Sequence, residues 1–321
     1  MKPALLTRKT IPSWIPEELF SCSLTQCYVL IMLSIMSLLS VVSYNIQYSL
    51  GVDGHYNLGR SIEPIRDADI ICLQEIDRNW RRTLMADQFD DIQRLLPDRY
   101  CVFGPSIDVD ASVVQSDGSI KNLRRQGGQM IASRFPITSS RVIHLPKDDT
   151  GINMNMWSVA LEAVIATPDK QIRVINLHLT DVTETNRITQ IQSILKQCAA
   201  ATVEGGAWNG DEGADEYREH WQMNDVVPHM PEEIILTGDF NDEPESHVIK
   251  LVTDAGFIDT WSLSAATAES TSTFKKNPEQ GTNRDLRIDF IFVSPHFETV
   301  SASIDGITDA SDHQPVWATL Q

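Results

Sequence analysis

The sequence predicts a mixed α/β sandwich, and two observations carry the prediction. Short apolar runs of strand length alternate with segments of helical spacing, without the strict rhythm of a βαβ repeat. Several of those runs also lead into polar residues of the kinds that do chemistry, and in such folds the strand ends gather at one edge. The chain has 321 residues, 42% of them hydrophobic, which is enough for one large domain with a sizeable core.

The elements follow in order. Leu38–Tyr44 reads as a first strand, and Ala68–Leu73 (ADIICL) as a buried one. Gln129–Ser133 is a strand stopped by Phe135-Pro136, and Trp157–Ala166 alternates as a half-buried strand does. Gln171–Leu179 (QIRVINLHL) is a strand. Asn186–Ala201 has helical spacing, with Ile188, Ile191, Ile194, Leu195 and Cys198 on one side. Glu233–Thr237 is a strand entering Gly238-Asp239. Ser246–Ala255 reads as a helix closed by Gly256. Arg287–Val293 (RIDFIFV) and Val316–Leu320 complete the set. No internal repeat or low-complexity linker interrupts this pattern.

Two regions stand apart. Leu19–Val52 carries no charged residue, and Tyr28–Val42 is nearly continuous apolar sequence. That run is short for a spanning helix, which needs about 20 apolar residues. Residues 1–37 are therefore expected to be an N-terminal extension, with residues 38–321 as the domain. An anchor or export signal within residues 19–42 is the competing reading. Between Glu204 and Asp225 seven acids face one base, Arg218, with four glycines, as expected of an acidic surface loop.

The formal net charge is −18, a field that repels polyanions and argues against non-specific grip on nucleic acid. The five cysteines form neither a CxxC pair nor a zinc pattern. That argues against a disulfide framework and for a reducing, cytoplasmic setting.

The polar residues at the strand ends carry the functional reading. Asn45 follows the first strand, and Glu75 follows ICLQ. His178 closes VINL, and Gly238-Asp239-Phe240-Asn241 follows IILT. Asp289 lies inside RIDFIFV, and Asp312-His313 immediately precedes the last strand. Each is unremarkable alone, since a lone Glu after a strand is usually solvated and a lone Asn is a turn former. Gathered at one edge, the carboxylates would repel one another unless a cation sat among them, and hard oxygen donors suit Mg²⁺ or Mn²⁺. Two His beside Asp and Asn would supply a proton acceptor and donors for phosphate-ester hydrolysis.

The segments SYNIQY (43–48), ICLQEID (71–77), NLHLT (176–180), GDFND (238–242), RIDFIFVS (287–294) and SDHQPV (311–316) together resemble the endonuclease/exonuclease/phosphatase superfamily, from about residue 38 to residue 321. The resemblance implies a four-layer α/β sandwich of deoxyribonuclease I type, two mixed sheets face to face with helices outside. It implies a metal-dependent phosphoesterase. Glu75 would be the principal metal ligand, with Asn45 and Asp312 its partners, direct or through water. Asp239 would position or deprotonate water, Asn241 would bind the scissile phosphate, and His313 would stand beside it, oriented by Asp289. His178 would be the second histidine of the deoxyribonuclease I and sphingomyelinase branches. Whether His313 or Asp239 is the base is left open by the sequence.

The acidic charge favours a small-molecule, nucleotide or lipid substrate over DNA or RNA, and a monomer is expected. A nuclease and a non-catalytic binding protein of the same fold are the competing readings. Membrane contact would have to come through the N-terminal apolar stretch. Arg78 could reach a phosphate or be a loop cation. Arg187 and Gln190 read as structural, and Trp208 and Trp221 as packing residues.

Overall fold

Fourteen strands and four helices follow the chain in the computed structural model, which describes residues 37–148, 154–208, 230–263, 271–275 and 284–321. The strands are β1 (Leu39–Asn45), β2 (Ile70–Arg78), β3 (Tyr100–Asp110), β4 (Val113–Val114), β5 (Ile120–Lys121), β6 (Arg124–Ser133) and β7 (Ile137–His144). After them come β8 (Val159–Ala166), β9 (Gln171–His178), β10 (Ile234–Asp239), β11 (Ile258–Asp259), β12 (Asp289–Val293), β13 (Thr299–Ile304) and β14 (Val316–Leu320). The helices are α1 (Leu58–Ile62), α2 (Gln88–Leu95), α3 (Glu184–Glu204) and α4 (His247–Asp254). Residues 1–36, which hold most of the expected extension, lie outside the described residues, as do residues 209–225 of the acidic segment.

One sheet has the order β13-β14-β1-β2-β6-β3 and the other β11-β12-β10-β9-β8-β7. Both are mixed: β1 runs parallel to β2, and β10 parallel to β9, while their other neighbours are antiparallel. The layers follow from side-chain alternation. Val41, Ile70, Cys72 and Ile131 of the first sheet meet Leu161, Val174, Ile235 and Ile291 of the second in one buried cluster. The intervening residues face outward. Val42, Ile71 and Leu73 pack on Leu58, Ile62 and Ile92, while Ile175, Leu177 and Leu236 pack on Ile191, Ile194 and Val248. Helices therefore cover both outer faces, giving four layers. Burying each such side chain contributes about 1.5–3 kcal/mol, so a one-residue slip in register is strongly disfavoured.

The helices end where their caps dictate. The Thr183 hydroxyl accepts from the Asn186 N–H at the start of α3, and the Ser246 hydroxyl accepts from Ile249 N–H at the start of α4. Leu38–Gln321 forms one compact unit. Cys72, Cys101 and Cys198 are free thiols. Among the described residues no helix is long and apolar enough to cross a membrane.

Six strands do not follow from the apolar pattern: the two-residue β4, β5 and β11, and the longer β3, β7 and β13. β3 contains Gly104-Pro105, which read as strand breakers. It survives because the sheet bulges between Pro105 and Ile107. β7 and β13 are edge-proximal and largely polar, so hydrophobic patterning is weak in both. A further difference concerns β2. Residues 74–75 were expected to end it, but the strand continues to Arg78 through a register shift between Leu73 and Ile76.

Candidate active site

The same alternation that builds the core builds the site. On β1 the inward positions are Val41, Ser43 and Asn45. On β9 they are Val174, Asn176 and His178, on β10 Ile235, Thr237 and Asp239, and on β12 Ile291 and Asp289. Each strand buries aliphatic groups between the sheets and turns polar, in phase, at one edge. Register completes the row, because Asp239 stands opposite His178 on one side and Asp289 on the other.

Glu75 arrives by a different route. It sits in the β2 bulge with φ of 59°, a left-handed conformation uncommon for a side-chain-bearing residue. The bulge lets Gln74 keep pointing inward while Glu75 turns to the edge. Asn45 then links the sheets: its side-chain NH₂ donates to Glu75 Oε1 at 3.1 Å and to Asp239 Oδ2 at 3.0 Å.

Asp312 and His313 come from the loop before β14. Ser311 Oγ donates to the Asn45 carbonyl at 2.8 Å and accepts from the His313 N–H at 3.1 Å, fixing that loop to the end of β1. Gln47 Nε2 donates to Asp312 Oδ2 at 2.8 Å. Burial, reinforced by the nearby Glu75, raises the Asp312 carboxyl above its ordinary range, although His313 opposes this.

His313 is buried, with Nδ1 2.8 Å from Asp289 Oδ2 and Nε2 3.7 Å from Asp239 Oδ2. His178 Nε2 lies 3.4 Å from the same Asp239 oxygen. The Phe274 ring meets His313 edge-on at 4.9 Å, and Thr273 Oγ1 accepts from the Asp289 N–H at 3.0 Å. Burial opposes charge on the His313 imidazole, but the Asp289 and Asp239 carboxylates outweigh it and push its pKa up to about 10. Burial also raises the Asp289 carboxyl, to about 6, although the neighbouring His313 opposes the rise. Asp289→Asn should therefore lower the His313 pKa toward the ordinary histidine range. A ¹⁵N NMR titration of the ring measures this, and an unmoved pKa would show that Asp289 does not set it.

All eight residues singled out in the sequence converge. Glu75, His178, Asp239, Asn241, Asp312 and His313 line a cavity of about 560 Å³. Asn45 and Asp289 lie beneath it, 1% and 0% exposed. Asn241, at φ of 51°, donates its backbone N–H to Asp239 Oδ1 and its side-chain amide to the Leu179 carbonyl, both at 2.8 Å.

Other side chains resolve differently. Arg78 forks onto Asp87 at 2.8 and 2.7 Å and stays out of the cavity lining. Arg187 pairs with Asp242 at 2.9 Å, and Gln190 bridges Thr180 and Pro146. Trp208 is 37% exposed, and Trp221 lies outside the described residues. Sequence reasoning missed a buried clamp below the site. Gln74 Nε2 donates to Asn176 Oδ1 at 2.6 Å, and Asn176 Nδ2 donates to the Leu73 and Met130 carbonyls at 2.8 and 2.9 Å. Its signal was present, since Asn176 is a polar residue at an inward position of a core strand and so must find a partner.

Two mixed six-stranded sheets face to face, with a carboxylate and histidine cluster at their common edge, define an α/β sandwich of the deoxyribonuclease I type. The model of the endonuclease/exonuclease/phosphatase family matches residues 42–155 and 212–313, and the chain belongs to that family. Solved structures agree on the fold. An endonuclease/exonuclease/phosphatase from Beutenbergia cavernae is similar with a TM-score of 0.61 at 19% identity, covering 89% of this chain and 72% of that one. A mannosyl-6-phosphatase from Bacteroides thetaiotaomicron has a TM-score of 0.56 at 19% identity, covering 88% and 99%. The human Nocturnin catalytic domain with bound sulfate has a TM-score of 0.53 at 20% identity, covering 88% and 94%. The sequence has no significant match among curated proteins.

Proposed function

We propose that this chain is a divalent-metal-dependent phosphoesterase acting on a small phosphate ester, nucleotide or lipid. One observation carries the proposal: four carboxylates, Glu75, Asp239, Asp289 and Asp312, converge where Arg82 is the one Lys or Arg side chain lining the cavity among the described residues. Such a cluster of hard oxygen donors fits Mg²⁺ or Mn²⁺.

Glu75 and Asp312 would hold the ion. Asp239, Asp289 and His313 also bring ligand atoms within 4.8 Å of one another. One Asp289 oxygen and the His313 Nδ1 are already engaged with each other, however, so that group fits a hydrogen-bonded Asp–His dyad better. Asn45 turns its NH₂ toward Glu75 and Asp239, and its Oδ1 accepts from the Gln47 N–H. In this orientation it positions carboxylates, and direct ligation would need the reverse amide orientation.

When bound, the cation supplies Lewis-acid charge to the phosphoryl oxygen and acidifies water. Asp239 accepts the proton of the attacking water. The Asp289 carboxylate engages His313 Nδ1 and leaves Nε2 beside Asp239, an arrangement that suits the imidazole to donate to the phosphoryl oxygens with Asp239 as the base. Asn241 and His178, which line the same cavity, would bind the phosphate and the leaving oxygen. The acidic lining, with Asp77 and Asp181 added, supports a small substrate over a polyanion.

The test is a panel assay of purified protein. Bis-p-nitrophenyl phosphate, plasmid DNA, RNA, sphingomyelin and an inositol phosphate are each offered with Mg²⁺ or Mn²⁺. Turnover of a small or lipid substrate is expected, abolished by EDTA and restored by metal. Activity that survives exhaustive chelation would point to another chemistry. Efficient cleavage of nucleic acid alone would favour the nuclease, and inertness toward the whole panel the binding protein.

A further inference from the structure

We propose that Arg82 is a specificity residue, reading a second anionic group carried by the substrate beyond the phosphate that is cleaved. This rests on the phosphoesterase reading for the identity of the first phosphate. Arg82 follows β2 by four residues and lines the same cavity as Glu75 and His313. Its Nε and Nη2 donate to Asp77 Oδ2 and Oδ1 at 2.7 and 3.0 Å, a bidentate fork onto a carboxylate that is 1% exposed. The Tyr48 ring lies under the guanidinium at 3.9 Å and the Trp80 ring at 5.2 Å. Nη1 has no acceptor among the described residues, and the side chain is 49% exposed.

An arginine held from two sides, with one edge of its fork left unused, is prepaid for binding an oxyanion. Its surroundings sharpen the point. The histidines apart, the other charged side chains lining the cavity are acidic, so Arg82 is the one Lys or Arg there, among the described residues, that can attract an anionic group. Arg82 takes its acceptor, Asp77, from the strand that precedes it, and the hydrogen bonds of His313, Asp239 and Asn241 do not reach it. The side chains that touch it are Asp77, Tyr48 and Trp80, none of them in the hydrolytic group. The chemical class that fits is a compact phosphate ester bearing a second phosphate or carboxylate.

Calorimetric titration with adenosine 5′-monophosphate and adenosine 3′,5′-bisphosphate in Mg²⁺ tests this on the full chain. Wild type should bind the bisphosphate more tightly. Arg82→Gln should weaken the bisphosphate about tenfold more than the monophosphate, as loss of one charged hydrogen bond implies, and Arg82→Lys should recover part of the difference. If Arg82→Gln fails to fold because Asp77 is left buried and unpaired, D77N/R82Q removes both charges and serves instead. Equal weakening of both ligands, or a wild type that does not distinguish them, overturns the proposal. Hydrolysis of bis-p-nitrophenyl phosphate is measured in parallel. Turnover without Arg82-dependent discrimination sinks this inference alone, whereas discrimination without turnover sinks the phosphoesterase reading alone.

Discussion

Glu75→Gln should lower turnover by about 10²–10⁴-fold while leaving the fold intact. Glutamine is the informative substitution because it keeps the shape that the bulge imposes at φ of 59° and removes only the charge. Glu75→Ala would add a change in backbone preference at a left-handed position. The amide oxygen of glutamine can still accept from the Asn45 NH₂, so what is lost is the negative charge of one hard-oxygen donor. Stability should respond in the opposite sense. Removing one of four converging carboxylates relieves repulsion, so the melting temperature in EDTA should equal or exceed that of wild type. Added Mg²⁺ should then stabilise wild type more than the variant. Steady-state kinetics and thermal melts with and without metal measure both effects. Near wild-type turnover in Mg²⁺ would sink the metal-ligand role.

Gly238→Ala should have the largest effect on stability, costing about 3–5 kcal/mol. Gly238 has φ of 138°, where a Cβ is strained, and a Cβ placed there would lie 1.9 Å from the Leu177 carbonyl oxygen of β9. Leu177 is its register partner in the parallel β9–β10 pair, so the clash cannot be relieved by a side-chain rotation. The strands must separate at the point where His178 and Asp239 face each other, and activity should fall with stability. Denaturant unfolding measures the loss, and a melting temperature within about 3 °C of wild type would overturn the argument.

Much of this architecture was legible in the sequence because hydrophobic period and chemistry coincide. Val41, Val174, Ile235 and Ile291 announce core strands, and polar residues in the same phase, Asn45, His178, Asp239 and Asp289, announce the edge. What escaped did so for identifiable reasons. The β3 strand is hidden by Gly104-Pro105, whose cost the sheet absorbs as a bulge. The Glu75 bulge is invisible to period-two reasoning, which predicts a strand end where the chain instead inserts a residue and continues. The Arg82–Asp77 fork joins residues five apart that pattern alone would leave solvated. The role of Asn45 depended on the direction of an amide, and no sequence specifies that.

The loop before β14 ties Ser311 to Asn45 across 266 positions of chain, and Asn45 meets Asp239 across 194. During vectorial synthesis, then, β1 emerges early without the partner strand that flanks it and without the loop that carries His313. A nascent chain holds every earlier strand yet lacks a working centre until residues 311–320 have cleared the ribosome. Assembly of the proposed centre is thereby deferred until β14 is available, and recovery of activity on refolding should report the docking of that strand rather than collapse of the core.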